Sequence, residues 1–296
     1  MIKIDLITGF LGSGKTTFLI KYANHFIKKG EKICIIENDY GAINVDMMLI
    51  DSLACDREMI SGACDYETHK RRFKTKLISI AMRKYDRVIV EPSGIYDINE
   101  YLDVMYDEPI NSWYEMNNIF TIYDINTKSL SLSSKGILAS EISSCGKIIV
   151  SKRSDKRLID IDYINQILKE NNSNRIINTN DILYDDDIIL ESIENVGYNI
   201  YESNKIASIS YDSVYFLDTN ISIDVLDEYA NKLFNDSIYG SIIRIKGFVF
   251  ENNNWKRINY TKDNRNIENV SNGQKALIII GENLDKEKIN KLLDVR

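Results

Sequence analysis

Near the start of the chain, Gly9-Phe10-Leu11-Gly12-Ser13-Gly14-Lys15-Thr16-Thr17 sets glycines, a lysine and hydroxyls at the spacing G-x-x-x-x-G-K-[ST]. That combination is suited to a polyphosphate. The glycines let backbone N–H groups turn inward around an anion, so Gly9, Gly12, Ser13, Gly14 and Thr17 are candidate phosphate-binding residues. Lys15 is placed to reach the β- and γ-phosphates, and Thr16 to bind Mg²⁺. A Gly-rich turn without a ligand is the plainer reading. It is disfavoured because the run stands directly between an apolar strand pattern and a helical one, so that the helix dipole adds to the site.

Two further segments carry chemistry. Val88-Ile89-Val90-Glu91-Pro92-Ser93-Gly94 ends a buried strand on an acid, where Glu91 can hold Mg²⁺ or its water and the backbone N–H of Gly94 can sense the γ-phosphate. An acidic residue before a Pro-containing turn is the alternative. Glu37-Asn38-Asp39-Tyr40-Gly41-Ala42-Ile43-Asn44-Val45-Asp46 lies between strand and helix, as a switch loop does, and offers the carboxylates of Asp39 and Asp46 near the metal. A polar surface loop competes with that reading.

These residues need a parallel sheet with crossover helices behind them. Strands are expected at Lys3 to Thr8, Lys32 to Glu37, Arg87 to Glu91, Asn118 to Tyr123, Lys147 to Ser151 and Arg175 to Asn178. Phe73, Leu77 and Ile80 recur at the spacing of a buried helical stripe. The acidic, Asn-rich stretch from Asp181 to Asn204 reads as a linker. Beyond it the rhythm changes, with strands near Ile206 to Tyr211, Tyr215 to Leu217, Ser241 to Glu251, Trp255 to Tyr260 and Ala276 to Gly281. Helices are expected near Ile223 to Phe234 and Asp285 to Leu293. The fold class is α/β: a mostly parallel P-loop sheet flanked by helices over residues 1–185, followed by a smaller α+β domain over 205–296.

The 296 residues are 44% hydrophobic and 27% charged, the profile of an ordinary globular protein, and the net charge of −7 argues against a nucleic-acid or anionic-membrane surface. Four cysteines are too few and scattered for a disulfide scaffold. With no signal-peptide pattern and no long apolar run, a cytoplasmic location is expected. Cys34 and Cys145 read as packing residues, and His25 as a core or surface histidine.

Taken together, the phosphate loop, Asn38-Asp39-Tyr40-Gly41 and Glu91-Pro92-Ser93-Gly94 resemble the CobW-like GTPases. These are relatives of the hydrogenase and urease nickel-insertion GTPases, in which a glutamate replaces the usual aspartate of the third guanine-nucleotide motif. Ile242-Ile243-Arg244-Ile245-Lys246-Gly247-Phe248-Val249, Trp255 and Gly281-Glu282-Asn283-Leu284-Asp285 resemble the family's second domain. The resemblance implies a GTPase that delivers a transition metal to a client metalloprotein or a cofactor-synthesis protein, and it leaves room for a homo-oligomer.

The chain departs from that family in two places. Where the guanine-reading motif is usually Asn-Lys-x-Asp, it has Ser151-Lys152-Arg153-Ser154-Asp155. Lys152 can cover the base, but the acid, Asp155, stands one position late. GTP is therefore implied by resemblance, and ATP stays open. Where the family carries Cys-x-Cys-Cys, the chain has Ser61-Gly62-Ala63-Cys64-Asp65-Tyr66-Glu67-Thr68-His69. Cys64 with Glu67, and Asp65 with His69, share helical faces, and with Asp39 or Cys55 they form a candidate Zn²⁺ or Co²⁺ set. A capped helix-start cysteine beside a solvated histidine is the alternative. The basic run His69 to Lys76 is a solvated helix face or a docking site for an acidic client. Three functions follow: a metal-delivering GTPase switch, a nucleotide-dependent regulatory or assembly module without metal cargo, and a small-molecule kinase or ligase.

Overall fold

A computed structural model of the chain describes residues 1–10, 12–39, 53–61, 66–94, 96, 98–125, 132–151, 159–200, 211–218, 220–262, 264–271 and 273–293. They fall into two units.

The first unit is built on seven parallel strands in the order β3-β2-β4-β1-β5-β6-β7. They are β1 (Ile2–Thr8), β2 (Ile33–Asp39), β3 (Asp56–Ser61), β4 (Arg87–Pro92), β5 (Tyr114–Asp124), β6 (Lys147–Ser151) and β7 (Ile182–Tyr184). Helices cover both faces, which is why the inner strands β2, β4 and β6 carry the apolar runs Ile33 to Ile36, Val88 to Val90 and Ile148 to Val150. On one face Ile7, Ile33, Ile35, Ile89 and Phe120 pack against Phe18, Leu19, Tyr22, Ala23 and Phe26 of α1 (Lys15–Lys28). On the other, Ile4, Leu6, Cys34, Ile36, Val88 and Val90 pack against α2 (Tyr66–Ala81), α3 (Ile98–Met105), the one-turn α4 (Ile110–Trp113), α5 (Leu132–Ser144) and α6 (Ile161–Glu170). The stripe Phe73, Leu77 and Ile80 is the buried side of α2, as its spacing predicts.

Several sequence expectations are corrected. Residues 175–178 are not a strand; the ladder beside β6 is β7, seven residues later. The backbone of Ile177 is satisfied instead by the Asn165 side chain, at 2.8 and 3.0 Å, and Arg175 caps carbonyls at the end of α5. β3 escapes the sequence reading because it is a charged edge strand. The stretch from Asp181 read as a linker is held in place: it contains β7 and short 3₁₀ turns, and its acids pair with α1. Lys21 reaches Asp185 at 2.7 Å, while His25 and Lys29 both reach Glu194 at 2.5 Å. Asn118 donates to the Ile193 and Glu194 carbonyls and accepts from the Val196 and Gly197 N–H groups.

The second unit is an antiparallel sheet in the order β11-β10-β9-β12-β8, formed by β8 (Tyr211–Leu217), β9 (Ser241–Glu251), β10 (Asn254–Thr261), β11 (Asn264–Val270) and β12 (Ala276–Glu282). One face is packed by α7 (Ile223–Asn235) and α8 (Lys286–Leu293) around Leu226, Leu233, Ile245, Ile258 and Ile289. β8 is one strand from residue 211 where two were expected near 206 and 215; 206–210 lie outside the described residues. The polar edge strand β11 gives no alternating apolar signal and was not expected.

Beneath the first sheet, Arg87 bonds Asp5, with both side chains fully buried, and also reaches Glu31 at 2.8 Å and stacks over Phe26 at 3.6 Å. Burial pushes the Asp5 carboxyl up, and Arg87, Asn117 and the Asn118 N–H oppose that rise. Removing one partner of such a pair leaves a buried charge uncompensated. Arg87→Met is expected to lower unfolding free energy by about 3–5 kcal/mol in denaturant melts, and adding Asp5→Asn is expected to restore part of the loss.

Candidate functional site

The parallel strands end together on one edge of the sheet, the usual binding edge of open α/β folds. Thr8, the last residue of β1, leads into the glycine-rich turn. Gly9, Gly12 and Gly14 hold φ of 141°, 79° and 100°. A Cβ on Gly9 would stand 2.3 Å from the Ile122 carbonyl oxygen, so at that position the turn excludes a side chain by contact as well as by dihedral angle. Gly14 is the N-cap of α1, supplies no side-chain cap, and is followed by a first turn without an acid. The start of that helix faces the loop with its positive dipole end, suited to an anionic ligand.

Lys15 is buried and its ammonium donates to the Gly9 carbonyl at 2.9 Å and the Phe10 carbonyl at 3.5 Å, so it arches over its own loop. Thr17 is exposed one residue beyond Thr16. The Thr16 hydroxyl donates to Glu91 Oε1 at 2.8 Å, joining the start of α1 to the tip of β4. A hydroxyl and a carboxylate in contact at a helix start are hard oxygen donors of the kind Mg²⁺ takes. Gly94, buried, follows three residues later.

Three supports beneath the loop were not apparent from the sequence. Glu37 is the direct register partner of Glu91 across β2 and β4, and both carboxylates are buried. Like charges opposite one another disfavour the pairing, and a cation beside Thr16 would offset both. Glu141 of α5, fully buried, accepts from the Thr8 hydroxyl at 2.5 Å. Ser151, at the end of β6, donates to the Ser13 carbonyl, and a Cβ on Gly14 would stand 3.4 Å from its own. The only sequence signal for Glu37 and Glu141 was an acid set among apolar neighbours.

Of the candidate transition-metal set, Cys64 and Asp65 lie outside the described residues, as do the Mg²⁺ candidate Asp46 and Lys152 and Asp155 of the base-reading segment. Asp39 ends β2, and only its backbone is described. Glu67 is exposed on the first turn of α2, whereas His69 is buried at 2% exposure on the opposite side of that helix. The two do not share a face. His69 Nδ1 meets Glu100 of α3, also 2% exposed, and its ring stands edge-on to Tyr96 at 5.8 Å. Burial and the nearby Arg72 hold the imidazole down to about 4. At neutral pH it is therefore a neutral ring whose Nδ1–H donates to the carboxylate, the manner in which a metal-bound histidine is commonly oriented. Burial and Asp56 push the Cys55 thiol up to about 11, and burial with Glu58 and Asp56 pushes Cys34 up to about 12, so both stay protonated. Among the described residues no group of three or more His, Cys, Asp and Glu is placed to hold a metal ion. Along the basic run of α2 the three lysines are paired, Lys70 with Asp103, Lys74 with Asp107, and Lys76 with Glu58, while Arg71 and Arg72 are exposed. Among the described residues no helix is long and apolar enough to cross a membrane.

Comparison with known proteins matches residues 3–180 to the family described as CobW/HypB/UreG, nucleotide-binding domain. The zinc chaperone YjiA of Escherichia coli (strain K12) is 25% identical over 158 residues, 51% of this chain and 49% of that protein. The zinc chaperone YeiR of the same organism is 28% identical over 158 residues, 53% of this chain and 48% of that protein. The chain thus spans about half the length of the curated relatives it matches. Among solved structures, that of Zn(II)-bound YjiA GTPase from E. coli aligns with a TM-score of 0.39 at 16% identity, over 99% of this chain and 98% of that one.

Lys15 supplies the fixed cation inside the loop, so its removal should act on triphosphate binding and not on folding. Lys15→Ala is expected to weaken GTP and ATP binding by at least about 100-fold, or roughly 2.7 kcal/mol, in calorimetric titrations, with the far-ultraviolet spectrum unchanged.

Proposed function

Because the chain belongs to the CobW/HypB/UreG nucleotide-binding domain family, we propose that it is a GTP-hydrolysing switch that couples nucleotide state to delivery of Zn²⁺ or Co²⁺. The observation that carries this reading is the 2.8 Å contact between Thr16 and Glu91. It ties the phosphate loop to the turn that precedes α3, so occupancy of the loop bears directly on the Glu91-to-Gly94 segment.

In this reading Gly9, Gly12, Ser13, Gly14 and Thr17 cradle the phosphates through backbone N–H groups and Lys15 exchanges its loop carbonyls for β- and γ-oxygens. The Gly94 N–H meets the γ-phosphate. Mg²⁺, when bound, neutralises developing charge, and Thr16, Glu91 and Asp46 are its candidate holders. Catalysis is by positioning and charge neutralisation, with no covalent intermediate. Lys152 covers the base and Asp155 reads it. Cys64, Glu67, His69 and Asp39 are the candidate transition-metal ligands, and the recipient is a client metalloprotein or a cofactor-synthesis protein. The zinc chaperones among its relatives support the cargo part of the reading.

A second reading, a nucleotide-dependent regulatory or assembly switch without metal cargo, is favoured by one observation. Glu67 and His69 stand on different sides of α2, so one helical turn does not present them together. Competitive Zn²⁺ titration in GTP-analogue and GDP states separates the two. Metal delivery is expected to show a difference of roughly 5- to 150-fold between states, lost in Cys64→Ser; equal affinities in both states leave the cargo-free switch.

Base selectivity is a separate test of the same reading. With Ser151 committed to the Ser13 carbonyl and Asp155 offset by one position, GTP is expected to be preferred over ATP by less than about a thousandfold, roughly 4 kcal/mol. Competition of labelled GTP by ATP measures it. A larger preference would show that the paired base contact is intact.

A further inference from the structure

Two helices meet at the end of the Glu91-to-Gly94 turn. The Tyr96 N–H donates to the Ser93 carbonyl at 3.2 Å and closes that turn, and α3 begins at Ile98. One imidazole, fixed on α2, touches both sides of the junction. His69 stands edge-on to the Tyr96 ring and bonds Glu100, one helical turn further on. Other contacts between α2 and the α3 segment are of a different kind. Phe73 and Tyr101 lie with ring centres 6.1 Å apart, and Lys70 and Lys74 pair with Asp103 and Asp107 at 3.4 and 2.8 Å on the solvent side.

A buried polar pair is a poor choice for stability alone, since two apolar side chains of like volume would pack that space without a desolvation cost. What it adds is direction. Aromatic rings at 6 Å tolerate sliding of one helix along the other, whereas an Nδ1–H···Oε1 bond between two side chains that are each 2% exposed permits one register.

We propose that His69 and Glu100 are positioning residues for triphosphate hydrolysis: they fix α3 on α2 and, through Tyr96, hold the Glu91-to-Gly94 turn where its backbone meets the γ-phosphate. This rests on the reading of the chain as a nucleotide hydrolase. Neither side chain touches the nucleotide. Their action falls on the end of the turn that carries the Gly94 N–H toward the γ-phosphate, which separates it from a general effect on folding.

The test uses the full chain, stripped of transition metal with a chelator and supplied with Mg²⁺, well below its melting temperature. For His69→Gln and Glu100→Ala, kcat for GTP is expected to fall about tenfold, and so is the ratio of GTP-analogue to GDP affinity, with GDP affinity itself within about twofold of wild type. Glu100→Gln, which keeps an oxygen acceptor for the Nδ1–H, is expected to recover most of both. Lys74→Ala, at the outer end of the same helix contact, is the control and should leave kcat and the affinity ratio unchanged whatever it does to Tm. The inference is overturned if the two inner variants lower Tm alone, or if Lys74→Ala alters the ratio as much as they do. A wild-type protein that turns over no triphosphate overturns the hydrolase reading and this inference with it; an active wild type with unaffected variants overturns the inference alone.

Discussion

The hydrogen bond from Thr16 to Glu91 is the point on which the first unit turns, because it brings a strand-tip carboxylate to the start of a helix whose N–H groups have no cap of their own. A carboxylate buried there, opposite a second one at Glu37, is tolerable only beside positive potential. The dipole of α1 contributes to it, and a cation beside Thr16 would add the rest. The rest of the unit keeps these groups from drifting apart: Glu141 holds Thr8, Ser151 holds Ser13, and the parallel register of β1, β4 and β2 sets the three strand tips side by side. The phosphate loop is therefore braced from the strand before it, the helix behind it and the strand two places away.

Much of this was legible in the residues, for a reason specific to each part. The loop announces itself because three positive-φ positions and an inward lysine admit almost no other residue types, and Gly9 is excluded from bearing a side chain by the Ile122 carbonyl. The inner strands announce themselves because burial on both faces favours short apolar runs such as Ile33 to Ile36, Val88 to Val90 and Ile148 to Val150. Edge elements do not. β3 and β11 carry charges and asparagines because one rim of each faces water, so their period-2 signal is weak, and β7 is three residues long. Arg175 to Asn178 fails in the opposite sense: an extended, apolar-looking run whose backbone bonds to a side chain, a choice no propensity encodes.

His69 shows how spacing alone misleads at a site. Counting residues from Cys64 placed it with Glu67 as one mixed ligand set, yet positions two apart on a helix face different ways. The structure turns His69 toward Glu100, thirty-one residues along the chain, and leaves Glu67 in water. Pairing across α2 and α3 could not be read because it depends on which faces meet. The same ambiguity governed the basic run on α2, where Lys70 and Lys74 are engaged with acids on and just beyond the neighbouring helix.

The tail of the first unit bears on how the protein can be dissected. Similarity to the nucleotide-binding family ends at residue 180, but Asn118, at the centre of β5, sends its amide to the Tyr22 hydroxyl and to carbonyls at 193 and 194, and takes N–H groups from 196 and 197. A fragment cut where homology stops would strip that asparagine of most of its partners in the middle of the sheet. It would also remove Ile193, a buried member of the apolar cluster over α1, and leave Lys21 and Lys29 on α1 without their acids. Shared ancestry and mechanical closure thus mark different endpoints on this chain, and a fragment inactive at the first could be whole at the second.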